Sequence, residues 1–427
     1  MGAAPSSYAV IVAALSEALP EGGLLVGAED VARYSHDWSC DHFGRPLAVK
    51  RPGMTAQTSA LMRRCWEMSV PIVPQCGLTG LVGGAVAASG GGELVTSLER
   101  LNAIRTVDPI DFTMIVEAGC GLETAKNAAD GQDCLLPITF GAQGSCRIGG
   151  SIATNGEEMN VPRYGKMRDL VPGVEVVLAD GRIWNGLNVL RKDSRGYDLK
   201  QLFIGIEGTL GIITAAALKL FPKPTQAETA LIGLRSIEDA MALYARARRV
   251  CGDLIAAFEL ILRNGLEMAL RARTDLIDPL RRRYPVYVLM DTAPSAKIEL
   301  KDLIESFLAS DEDIVEDGVI ASSRTQAVRL WLFRETMAET QGRGGRYLRT
   351  DVSLPSSEVA AFVGDWLDAL RDSYPEALAL AYGHVGDGNL HVNVFPRCWR
   401  FARHHGGSRP RSGRAYFQCR RSSEWQH

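Results

Sequence analysis

Three glycine-rich runs in the first half of the chain constrain it more than any other feature. The first is Pro74-Gln75-Cys76-Gly77-Leu78-Thr79-Gly80-Leu81-Val82-Gly83-Gly84, the second spans residues 141–156, and the third is Gly205-Ile206-Glu207-Gly208-Thr209-Leu210-Gly211-Ile212-Ile213. The chain holds 43 glycines, and where glycines cluster, the backbone must approach something closely or take positive φ. Neither of the first two runs has the Rossmann spacing or its acidic partner, which disfavours a nicotinamide cofactor. Glycines mixed with Ser and Thr can cradle a dianionic pyrophosphate with backbone N–H groups. Tight turns are the plainer reading of one such run, whereas three in one region favour the cradle.

Strand-like and helical stretches alternate around these runs. The first 19 residues read as one amphipathic helix, interrupted by Ser16 and Glu17, without a basic start or an apolar span long enough for a signal peptide or membrane helix. Strands at 47–50 and 70–74 with a helix at 59–68 make a β-α-β opening that leads into the first glycine run. Residues 175–183 read as a hairpin turning at Asp180-Gly181. Phe221-Pro222-Lys223-Pro224 then halts the pattern, as prolines stop both helices and ladders. Beyond it, helices at 237–250, 261–273 and 297–310 and a strand at 286–290 suit a separate domain. The expectation is an α+β protein with domains at 1–222 and 223–396 and a distinct tail at 397–427.

At 427 residues the chain exceeds what one core accommodates. With 46% hydrophobic and 23% charged residues and a net charge of −3 it is an ordinary globular composition that gives no reason to expect nucleic acid as a partner. Nine cysteines, an odd number with no CxxC pair, argue for reduced thiols in the cytoplasm and against disulfides or a zinc knuckle. A homodimer is compatible with the sequence, which does not specify an oligomeric state.

Residues 379–394, Ala-Leu-Ala-Tyr-Gly-His-Val-Gly-Asp-Gly-Asn-Leu-His-Val-Asn-Val, read as two alternating strands about Asp387-Gly388. With those two as the central turn residues, His384 and His391 become direct cross-strand partners on one face, their Cβ atoms about 5 Å apart. Side-by-side imidazoles at that spacing suit a divalent metal, zinc foremost. A lone strand histidine is usually structural; a facing pair among only seven histidines is not so readily dismissed.

The glycine runs, Arg163-Tyr164-Gly165 and residues 190–214 resemble the vanillyl-alcohol-oxidase-like flavoproteins. Within them the likeness is to the FAD-linked D-2-hydroxy acid dehydrogenases, above all the D-2-hydroxyglutarate branch, and it covers roughly residues 30 to 395. The resemblance implies a PCMH-type FAD-binding domain of two α+β subdomains followed by an α+β substrate domain, with FAD held non-covalently. The cofactor contacts it implies are Gly77, Leu78, Thr79, Gly80, Leu81, Gly83 and Gly84 from the first run, then Gly144, Ser145, Ile148, Gly149, Gly150, Thr154 and Asn155 from the second. Glu207, Gly211 and Ile213 complete them from the third. Leu78 departs from the family's Gly-Asn-Thr-Gly.

In these relatives the histidine segment supplies two metal ligands, here His384 and His391, and Asn389 faces a 2-hydroxy acid substrate. Arg334, in Leu330-Trp331-Leu332-Phe333-Arg334-Glu335, is the implied carboxylate anchor, since a guanidinium grips a carboxylate through a planar fork. Arg349 is a second catalytic candidate. Ala338 and Arg349 stand where the branch has Thr and Lys, so a distal carboxylate is held differently here, if at all. Electrons would pass to a quinone or a flavoprotein carrier.

From Arg397 to His427 there is no Val, Ile, Leu or Met, Arg recurs, and only Glu424 is acidic, so this stretch should not pack a core. The family's Ser-Ala-Glu-His-Gly-Ile-Gly motif, source of a third metal ligand and a catalytic base, is absent from it. Its place is taken by Arg403-His404-His405-Gly406 and an arginine-rich run. A reading-frame shift near Pro396 accounts for the change; the alternative is a basic tail for an acidic partner.

Overall fold

The computed structural model describes residues 5–18, 24–38, 40–139, 141–156, 159–341 and 347–396. The tail expected to be unpacked, with His404 and His405, lies outside the described residues. The chain divides into two compact units, residues 1–225 and 226–427.

The described residues of the first unit form three sheets, the smallest of which pairs Cys134–Leu135 with Phe221–Pro222. Four strands, in the order Leu24–Leu25, Ala48–Lys50, Leu94–Ser97 and Ile72–Gln75, form a mixed sheet whose last three strands run parallel. The helix Thr55–Glu67 makes the β-α-β crossover, and Thr58, Leu61, Met62 and Cys65 at helical spacing form its buried face. Five antiparallel strands make the second sheet, in the order Ile104–Asp108, Thr113–Glu117, Gly211–Lys219, Gly173–Leu178 and Ile183–Gly186. Gly173–Leu178 and Ile183–Gly186 are the hairpin expected at Asp180-Gly181, and Gly181 takes φ +84. Glu175 ties the two subdomains. Its carboxylate accepts hydrogen bonds from Thr55 of the crossover helix (2.7 Å), from Thr214 (2.8 Å) and from Arg105 (3.2 Å).

The second unit is one antiparallel sheet of seven strands, ordered Val315–Ile320, Glu228–Leu234, Val286–Thr292, Ile255–Leu262, Leu378–His384, Asn389–Phe395 and Leu348–Ser353. Helices Ile237–Val250, Leu300–Ser310 and Val359–Ser373 pack on one face. Ser236 caps the first of these, accepting from the Asp239 amide, with acids in its first turn and arginines in its last. Helices Arg263–Ala272 and Arg324–Gln341 pack on the other face, against Ile261, Tyr287, Leu289, Leu380 and Tyr382. The central strand Ile255–Leu262 is buried throughout. No described helix is long and apolar enough to cross a membrane.

Candidate active site

In the first unit the three glycine runs, with contacts between residues as far as 134 positions apart in sequence, converge. A side chain at Gly77 would collide with the Ser145 carbonyl, one at Gly84 would lie 2.7 Å from Glu207 Oε2, and one at Gly208 would lie 2.6 Å from the Pro74 ring. Gly150 packs on Cys76 in the same way, 3.4 Å away, and Gly144 lies near Glu123. Among the described residues, no amide of residues 77–84 donates a hydrogen bond, so the N–H groups of Gly77, Leu78, Thr79, Gly80, Leu81, Gly83 and Gly84 are available to an anion. The second run is used differently. The amides of Ser145, Ile148 and Gly149 bond to the carbonyls of Ala142, Cys120 and Ala118, so this run contributes close backbone approach more than donors.

Leu78, Asn155 and Glu207 all take positive φ, of 52°, 47° and 54°. Asn155 Oδ1 accepts from the Arg168 amide (3.0 Å), and the Glu207 amide bonds to the Ala153 carbonyl (2.8 Å), which locks the third run onto the second. Thr154 closes its helix through Gly150 O (3.0 Å). Gly211 and Ile213 lie on the central strand of the five-stranded sheet, with Ile213 in its core. His42, which the sequence reading missed, sets its ring against Gly83: a side chain there would lie 2.7 Å from the imidazole. A backbone cradle that excludes side chains and offers unused amides fits a pyrophosphate-bearing cofactor such as FAD.

In the second unit the expected catalytic and metal residues share one sheet face. Glu259 pairs with His384, His384 with Asn389, Tyr382 with His391, and His391 with Asp351, while Arg349 pairs with Asn393. Because side chains alternate along strands, His384, Asn389, His391, Asp351 and Arg349 all project to the same side as Glu259. Arg334 reaches that side from the helix Arg324–Gln341.

The pairing of the histidines departs from expectation. The connection is four residues, Val385-Gly386-Asp387-Gly388, where a two-residue turn was expected. The Asp387 amide bonds to His384 O, the Asn389 amide to Asp387 Oδ1, and Tyr244 and Ser356 donate to the carbonyls of Gly386 and Val385. Gly388, at φ +80, lies so close to the Leu354 carbonyl that a side chain would collide with it. Two extra loop residues shift the register by two, which preserves the face. His384 and His391 are therefore diagonal neighbours, with ring centroids 5.7 Å apart and planes at 76°.

Each Nδ1 is tied to a carboxylate: that of His384 to Glu259 Oε1, that of His391 to Asp351 Oδ1. Neither Nε2 makes a hydrogen bond among the described residues. Glu259 is fully buried, and its Oε2 accepts from Arg334 Nε at 2.8 Å. Burial alone would raise the Glu259 carboxyl, but the His384 and Arg334 charges hold it at about 2. Burial would lower the His384 imidazole, and Glu259 more than reverses this, so it is raised. An ionised carboxylate only accepts, so each Nδ1 carries a hydrogen and each Nε2 faces outward; in the neutral ring, that nitrogen holds the lone pair that carboxylate–histidine–metal arrangements use. The donor set fits two ligands of a divalent metal. Among the described residues no group of three or more His, Cys, Asp or Glu side chains is placed to hold one.

Arg334 is buried, and its guanidinium lies 4.6 Å from the Tyr382 ring, which in turn contacts His391 at 4.8 Å. Arg349 is exposed, its Nε donating to Tyr347 (3.0 Å), and Asn389 Nδ2 donates to Ser353 (3.3 Å). Glu259, Asp351 and Tyr382 carry no role in the sequence reading. The signal for Glu259 was a single acid inside the apolar run Ile255–Leu262, where an unpaired charge would not be tolerated.

The chain matches the FAD binding domain family over residues 46–186 and the family of FAD linked oxidases, C-terminal domain, over residues 223–398. It is 38% identical over 384 residues to D-2-hydroxyglutarate dehydrogenase of Xanthomonas citri pv. viticola, covering 90% of this chain and 80% of that protein. The chain belongs to the FAD-linked D-2-hydroxy acid dehydrogenases. The mitochondrial D-2-hydroxyglutarate dehydrogenase of Bos taurus is 35% identical over 90% of this chain and 70% of its own length. Among solved structures, p-cresol methylhydroxylase with bound substrate shares the fold, with a TM-score of 0.71 at 15% identity over 93% of this chain and 84% of that one. As a member of these dehydrogenases the chain binds FAD and oxidises a hydroxy acid with it.

Proposed function

We propose that the substrate is D-2-hydroxyglutarate, oxidised to the 2-oxo acid, with residues 1–222 as the FAD-binding domain and 223–396 as the substrate domain. The observation that carries this reading is the shared sheet face: two arginines and two histidines with outward Nε2 atoms stand on one side of one sheet. Arg334 binds the C1 carboxylate, its orientation set by Glu259 and the Tyr382 ring. Asn389 hydrogen-bonds the substrate's C1–C2 end. Arg349, on the edge strand, takes the distal carboxylate, which a monocarboxylate such as D-lactate would leave unmatched. His384 and His391 hold a divalent metal, zinc by their donor chemistry. When bound, FAD supplies the hydride acceptor and the metal supplies the Lewis acid that lowers the 2-hydroxyl pKa.

Electrons pass on to a quinone or a flavoprotein carrier. All seven cysteines among the described residues are free thiols, which supports a reducing compartment such as the cytoplasm. A second reading, an FAD-binding protein with impaired turnover, is favoured by the two-histidine donor set and by the arginine-rich run that stands where the family has its third-ligand and base motif. Anaerobic addition of D-2-hydroxyglutarate, D-lactate or glycolate to the FAD-loaded protein decides between them. Bleaching of the flavin band by D-2-hydroxyglutarate first and fastest is the expected result; bound flavin that none of the three bleaches would establish the impaired form. Peroxide in air would instead mark an oxidase.

A further inference from the structure

We propose that Glu259 is a positioning residue that couples the metal-facing ring of His384 to the carboxylate-binding guanidinium of Arg334. The inference rests on the reading of those two residues given above. Glu259 stands in a strand otherwise occupied by Ile, Ala, Phe and Leu, and among the described residues Ile261, Leu289 and Leu380 share its side of the sheet. Folding alone would be served as well by apolar residues at both 259 and 334, since a buried ion pair is weak evidence of stabilisation and replacement of the whole pair by apolar groups is often tolerated. What an aliphatic residue could not do is fix two donors at once.

The two oxygens divide the work. Oε2 accepts from Arg334 Nε, which together with the Tyr382 ring sets the plane and direction of the guanidinium. Oε1 accepts from His384 Nδ1, which fixes the ring's rotation and puts its hydrogen on Nδ1, so that the Nε2 lone pair serves a metal. His391 has the same contact with Asp351, but the Asp351 side chain is 60% exposed, against 0% for Glu259. Water can replace Asp351; nothing replaces Glu259.

Glu259→Gln tests this without changing shape. An amide offers one acceptor and one donor, and Arg334 can only donate, so it claims the oxygen. The NH2 group then faces His384 Nδ1, which must accept, and the ring hydrogen moves to Nε2, where it blocks the metal. In FAD-loaded, metal-stripped full-length protein in mildly alkaline buffer, zinc calorimetry should show affinity about 10–100-fold weaker in E259Q than in the unsubstituted chain. Asp351→Asn should lose less than tenfold. The double variant E259Q/R334M frees the amide oxygen for His384 and should recover zinc affinity, which a purely structural role for Glu259 would not predict.

Equal zinc affinity in E259Q and the unsubstituted chain would overturn the coupling alone. No zinc uptake by the unsubstituted chain would overturn the metal reading and this inference with it. If E259Q does not fold because its buried charge is lost, E259Q/R334M and E259L/R334M are measured in its place: weaker zinc binding in E259L/R334M, which has no acceptor for His384 Nδ1, supports the assignment, and equal binding in the two overturns it.

Discussion

Leu78 takes φ +52 in the first glycine run, a left-handed conformation that costs an L-residue about 1–2 kcal/mol and Asn or Gly less. Leu78→Asn should therefore stabilise the FAD-binding unit by about 0.5–1 kcal/mol, seen as a higher flavin-release temperature. Asp291 poses a charge problem on the sheet face that carries Glu259. Its carboxyl is pushed up from 3.8 to about 6, first by burial, with Glu259 adding to it and the bonds from Thr229 and Trp331 opposing. A raised carboxyl keeps its proton in the folded state through a range where the unfolded chain has lost it. Stability thus falls as pH rises from about 3.8 to about 6 and is flat above. Asp291→Asn keeps an acceptor for the Trp331 indole N–H, 2.9 Å away, and removes the titration. Its urea midpoint should exceed the parent's near neutral pH and match it below the window. Sequence alone exposed the type of each functional residue but not its company: Arg334 reads as an anion anchor, whereas its ion pair with Glu259 joins residues 75 positions apart.

At the scale of elements, the histidine hairpin depends on its loop. Gly388 combines positive φ with contact against the Leu354 carbonyl, and the Leu354 amide in turn bonds to Gly388 O at 3.0 Å. Gly388→Ala should destabilise the substrate unit by more than about 1 kcal/mol and weaken zinc binding with it, measurable by melting and calorimetry. The helices at 237–250 and 300–310, the hairpin at Asp180-Gly181 and the β-α-β opening were legible because periodicity and turn residues are local. The strand Ile255–Leu262 was missed for a physical reason. A strand buried on both faces has no alternation to read, and its apolar run merges with the helix Arg263–Ala272 that follows. The hairpin's register was misjudged because Asp-Gly signals a turn without stating its length.

For the whole molecule, the cofactor cradle and the histidine face belong to different compact units. Gly77→Val would drive a side chain into the Ser145 carbonyl and should weaken FAD binding at least about tenfold, the scale of ~1.4 kcal/mol, while zinc affinity at the hairpin stays unchanged. Flavin absorbance and calorimetry on one preparation check both halves. The sequence by itself determined the family, the FAD cofactor, the α+β class and which residue types gather at the two sites, because glycine clustering, turn chemistry and strand parity are properties of neighbouring residues. Only the tertiary structure decided that the second glycine run spends most of its amides on its own backbone. It alone placed the two histidines diagonally, each backed by a carboxylate, with Glu259 between His384 and Arg334. Those arrangements depend on which distant strands lie side by side, and a hydrogen bond between strands leaves no mark on either strand's own sequence.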